Sequence, residues 1–145
     1  MATPCADRTS LNTYAGSPPS VLYLLRLEGL AVTAVSAYFY ASTGASWWLF
    51  AALWLVPDLS MLGYLAGPCR GARVYNAIHA YVAPGTLTLA ALLLHAPSLL
   101  PYALIWINHI AIDRLLGYGL KYPEAFHWTH LSRVFRAPAA VSQQL

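Results

Sequence analysis

Apolar residues fall into four long stretches, at roughly 21–43, 46–66, 73–95 and 98–118, separated by the short turn-like links STGAS, AGPCRGA and HAPS. A helix needs about 20 predominantly apolar residues to cross the hydrocarbon core of a bilayer, and each stretch reaches that length. Links this short set consecutive helices antiparallel, up-down-up-down. The pattern predicts an all-α protein: an antiparallel four-helix transmembrane bundle over residues 21–123, a disordered polar tail over 1–20 and a C-terminal segment over 124–145. The tail, MATPCADRTSLNTYAGSPPS, lacks the basic start and apolar core of a secretory signal.

Composition points the same way. Of the 145 residues, 59% are hydrophobic and 9% charged, against about 45–50% and about 25% in soluble domains. The expected partner is the lipid bilayer, with no nucleic acid. Arg8, Arg26, Arg70, Arg73, Arg114, Lys121, Arg133 and Arg136 all fall on or near one side of a four-span topology, and the links near 44–46 and 95–98 carry no basic residue. By the positive-inside rule this places both termini in the cytosol, in a multi-pass integral membrane protein.

That orientation gives each intramembrane polar residue a depth. Glu28, Asp58, Asn76, His79, His109 and Asp113 fall in one layer about 5–14 Å below the cytosolic boundary, at 1.5 Å of rise per residue. His109 and Asp113, four apart, share a helix face that Gly117 continues; Asn76 and His79, three apart, share another. Pro57 and Pro84 each remove a backbone hydrogen bond beside this layer, and such breaks are tolerated where they are packed in protein or line a wet cavity. A cavity open toward the cytosol is expected. Ionisable groups inside spans cost about 2.5–3.5 kcal/mol each on insertion scales and mark functional sites by default; a structural polar network, with Glu28 paired to Arg26 or Arg114, is the bland alternative.

Two chemistries suit the set. In the leading reading the protein is a membrane-embedded enzyme performing acid–base isomerisation or cyclisation on a small lipophilic substrate, with no cofactor. Asp58 or Glu28 is then the proton donor and His109, held by Asp113, the base. His79 and Asn76 orient the substrate, and Trp54, Trp106, Tyr75, Arg26 and Arg114 line the site; aromatic faces there would stabilise cationic intermediates. In the alternative, Asp58, His79, His109 and Asp113 bind Zn, Fe or Mn in a metal-dependent hydrolase or oxidoreductase. No HExxH or ExxH motif is present. A non-catalytic binding protein or carrier is a third class, and four short spans make a narrow pathway unless the chain forms a homo-oligomer. His127 and His130, three apart in EAFHWTHLSR, would share a face of a short helix and are expected to be solvated or interfacial. Gly119 is expected to let the chain leave the fourth span, with Pro123 preventing its continuation.

RLEGL at 26–30, PDLSMLGYLAGP at 57–68, YNAIHAYVAP at 75–84, HIAIDRLLGYGLKYP at 109–123 and THLSR at 129–133 resemble the motifs of a family of small integral membrane proteins of unknown function. The resemblance covers roughly residues 24–133, departs in THLS where THLG is expected, and implies no activity. It supports Arg26, Glu28, Asp58, Asn76, His79, His109, Asp113, Arg114 and Lys121 as the motif-bearing set.

Overall fold

A computed structural model describes residues 19–122 and the backbone of 125–129. The tail predicted over 1–20 gives way to helix at Pro19; residues 1–18, the side chains of Tyr122, His127 and Trp128, Pro123, Glu124 and the residues beyond 129 lie outside the described residues.

Helix α1 runs from Pro19 to Ser42. Ser46, whose hydroxyl accepts the Trp48 N–H at 3.2 Å, caps the start of α2, Trp47–Trp54. The helix cannot pass Pro57 unchanged, because that residue has no N–H to offer the Leu53 carbonyl. Leu53 O instead accepts from Leu55 N–H, and the chain tightens into a 3-10 segment, Val56–Ala66. Helix α3 follows at Pro68–Ile78, α4 at Val82–Leu93 and, after a short 3-10 turn at Pro97–Leu99, α5 at Leu100–Leu116. Strand β1, Lys121–Tyr122, then pairs antiparallel with β2, Ala125–Thr129. The segment that holds His127 is therefore extended, not the short helix expected there.

Among the described residues, three helical stretches are long and apolar enough to cross a membrane: Pro19–Ser42, Trp47–Ala66 and Pro97–Leu116. The remaining apolar stretch, read as one span over 73–95, is two half-helices meeting at His79–Tyr81. At 1.5 Å per residue, the 11 residues of α3 and the 12 of α4 reach only about half and just over half of a bilayer core each. Pro84 accounts for the break: it sits in the first turn of α4, where a missing N–H costs little, and leaves the Ala80 carbonyl without its helical partner.

The core is built on α5. Its buried face carries Ala103, Ile105, Asn108, His109, Ile110 and Ala111. Helix α1 lies directly against it, and Gly29 is what allows the approach: a Cβ there would stand 2.7 Å from Leu115 N and 2.9 Å from Ala111 O. Small residues at the contact are how membrane helices pack closely, because burial against lipid tails supplies no drive. The polar fastening is Asn108, whose amide nitrogen donates to Thr33 O (3.1 Å) and Ser36 Oγ (3.0 Å) on α1 while its oxygen accepts from Trp54 Nε1 (3.2 Å) on α2. One buried side chain thus joins α1, α2 and α5. Helix α5 ends at Leu116 with Gly117 in the left-handed region (φ 94°), earlier than the exit expected at Gly119. Its cap is completed by Tyr118 N–H on Asp113 O (2.7 Å).

Candidate functional site

The two helix breaks and α5 bring Asp58, His79, His109 and Asp113 together, one ligand atom from each lying within 4.8 Å of all the others. Asp58 opens the 3-10 segment just after Pro57, His79 is the residue at which α3 stops, and His109 and Asp113 stack one turn apart on α5. The imidazole Nε2 atoms of His79 and His109 are 3.2 Å apart. Asp58 Oδ1 is 3.5 Å from each of them, and Asp113 Oδ2 is 3.6 Å from His79 Nε2 and 3.8 Å from His109 Nε2.

These are not ordinary ion-pair contacts. Four potential ligand atoms, one from each residue, gather around one common centre. Donors at about 2.0–2.2 Å from a tetrahedral ion stand about 3.3–3.6 Å apart, close to the 3.2–3.8 Å of the His–His and His–Asp edges here. Two imidazole nitrogens with two carboxylate oxygens also suit Zn, Fe or Mn.

The surroundings hold this arrangement in place. His79 Nδ1 lies 3.1 Å from Tyr75 O, so an Nδ1–H donated to that carbonyl leaves Nε2 with its lone pair toward the centre. The Tyr75 ring stacks on His79 at 3.8 Å, and its hydroxyl stands 3.5 Å from Asp113 Oδ2. Trp54 sets its edge against the His109 ring at 5.0 Å. His79 and His109 are buried; the Asp113 side chain is 15% exposed and that of Asp58 40%, so access to the centre is from the Asp58 side. His109 Nδ1 is buried with no protein partner among the described residues.

The break in the third stretch frees carbonyls that need donors at membrane depth, and α5 supplies them. Trp106 Nε1 donates to Ile78 O (2.8 Å) and Arg114 Nη2 to His79 O (3.0 Å), while Arg114 Nη1 binds Tyr118 O (3.0 Å). Both residues were expected to line a substrate site; their polar groups bind the backbone, and the Trp106 ring also borders the cavity described below. Asn76 too binds the backbone: it donates to Lys121 O (2.8 Å) and accepts from Lys121 N (2.7 Å), away from the cluster. Arg26 lays its guanidinium against Gly117 at the negative end of α5. Glu28 lies on the exposed face of α1 and does not join the cluster. Lys121, beyond the end of α5, places its ammonium over the rings of Tyr75 (4.6 Å) and Tyr64 (5.6 Å). Burial lowers its pKa, with Asp113 and Asp58 pulling it back up.

Beside Asp58 and His79 lies a cavity of about 590 Å³ bounded by Leu53, Pro57, Val74, Ile78, Ile105 and Trp106 among others, whose apolar lining the polar cavity expected from the sequence did not anticipate. Its apolar lining residues look like ordinary span residues in the sequence, so only their juxtaposition identifies them.

Residues 22–134 match a family described as a domain of unknown function (DUF4260). No curated protein and no solved structure matches the chain.

Proposed function

The chain belongs to this family of unknown function, and we propose that it is a membrane-embedded, metal-dependent hydrolase of a lipophilic ester or amide. His79, His109 and Asp113 hold the metal in this reading, and Asp58 is the base at its open side. The observation that supports it is the spacing of these three ligand atoms, 3.2 Å between the imidazole nitrogens and 3.6 and 3.8 Å from them to Asp113 Oδ2, close to that of donors around one ion. Acid–base isomerisation would use the same four side chains, but gains nothing from two imidazoles aimed at one another across 3.2 Å.

Asp58 takes its role from its exposure. Three buried or nearly buried ligands leave a fourth position, as catalytic sites require, and the half-exposed carboxylate stands beside it. A bound divalent ion supplies Lewis-acid polarisation and a water of lowered pKa. Asp58, beside the position such an ion would leave open, would accept a proton from the attacking water and return it to the leaving alkoxide or amine as the acyl bond breaks.

We further read the protein as making four passes, with α3 and α4 together forming the third and both termini in the cytosol. The support is that all eight basic residues fall on or near the side of the termini and the middle link, while the links near 44–46 and 95–98 carry none.

The test is turnover of para-nitrophenyl esters in mixed micelles by protein loaded with Zn, Fe or Mn. Chelation is expected to remove activity and metal to restore it. Asp58→Asn is expected to keep the metal but to lose about 100-fold or more in turnover, whereas Asp113→Asn loses the metal. Activity that survives chelation, or full activity in Asp58→Asn, overturns the reading.

A further inference from the structure

We propose that the cavity beside the Asp/His cluster is the chain channel of the substrate, and that the substrate is a single-chain fatty-acyl amphiphile whose carbonyl end meets the cluster. The chemistry of this proposal rests on the metal-dependent reading above; the binding of the chain does not.

Pro57 and Ile78 line the cavity, and the next residue after each is a cluster member, Asp58 and His79. Ile105 lines it too, four residues before His109 and so on the same face of α5. All three segments that supply ligand atoms therefore also supply apolar wall, and a molecule lying in the cavity has one end beside the cluster. This continuity separates the cavity from an ordinary lipid-facing crevice.

The lining then selects the occupant. Its walls are aliphatic and aromatic, with hydroxyls only at Ser60 and Tyr102. The indole N–H of Trp106, which could have bound a polar ligand, is occupied by Ile78 O, so the ring offers the cavity only carbon. Among the described residues, no charged side chain lines it. A polar or charged body would be desolvated there without partners, at a cost of several kcal/mol per group. An alkyl chain meets no such cost. The volume of about 590 Å³ is in the range of about 300–1,000 Å³ typical of sites for one small molecule, which suits one chain rather than a two-chain lipid. Polarity is wanted only at the end where the cluster lies, and the group that a water-activating site attacks is a carbonyl.

The test is photolabelling of the detergent-purified chain with a palmitic acid analogue carrying a diazirine near its chain end, followed by peptide mapping. Label is expected within residues 53–60, 74–78 and 102–106 and is expected to be competed by unlabelled palmitate. Leu53→Trp and Val56→Trp, made separately so that misfolding of one does not decide the matter, should each lose the label while keeping the metal content of the parent. Label confined to outward-facing α1 residues such as Leu24 and Leu27, or unaffected by both variants, overturns the proposal. So does labelling of the cavity by a photoactive sterol in place of the palmitate probe. Palmitate label in the cavity of a protein that binds no metal would leave the channel standing and remove the hydrolytic reading; bound metal without that label would do the reverse.

Discussion

Asn76 and His79 stand three residues apart and do different work. The Asn76 amide closes a two-bond clamp on the Lys121 backbone, holding the chain beyond α5 onto α3. Asn76→Ala leaves a backbone N–H and C=O without that partner, at about 1–3 kcal/mol. The expected outcome is a lower unfolding temperature in detergent and faster tryptic cleavage after Lys121, with metal content unchanged; loss of metal would instead place Asn76 in the site. The sequence suggested a shared role because an i, i+3 pair shares a helix face, and that inference requires the helix to continue. It stops at Ile78, with His79 as the cap, so the two side chains part. Depth and residue type did identify Asp58, His79, His109 and Asp113, since charged and imidazole groups are rare enough inside spans to stand out. Glu28 shared their depth but not their direction, because α1 is apolar almost all round and its sequence carries no signal for the inward face.

At the scale of elements, the site depends on a helix that does not continue. The break between α3 and α4 turns His79 toward α5, and Trp106 and Arg114 of α5 satisfy the carbonyls it frees. Pro84→Ala restores an N–H for the Ala80 carbonyl and removes the ring that opposes helix there. We expect the variant to fold and to bind metal about 10–100-fold more weakly, the scale of a change outside the ligands themselves, though no ligand is altered. Titration with Zn against a competing chelator measures this, and unchanged affinity would show that the break is held by α5 rather than by the proline. Both proline breaks were legible in the sequence, because a missing N–H has a fixed consequence one turn earlier. The donors that repair them were not, because which tryptophan or arginine reaches a carbonyl is decided by packing between distant segments.

For the molecule as a whole, four passes with cytosolic termini predict which links face which side. In a chain with Cys5 and Cys69 replaced by Ser, cysteines introduced at Thr43 and Ser98 should react with a membrane-impermeant maleimide from outside intact cells, and one at Ala66 only after permeabilisation. Reaction at Ser98 only after permeabilisation, as at Ala66, would show that α3 and α4 do not cross. The half-helices explain why pass number is less plain in the structure than in the hydropathy: the third apolar stretch is long enough, but neither half is. What unites the residue, the break and the bundle is the claim that His79, His109 and Asp113 converge, with Asp58 beside them, because an ion belongs between them. Elemental analysis of the detergent-purified protein, beside the double variant His109→Ala/Asp113→Ala, tests that claim most directly. Near-stoichiometric Zn, Fe or Mn in the parent, lost in a folded variant, is the result this account predicts. A parent that binds none of the three after loading, or a variant that retains the metal, would contradict it.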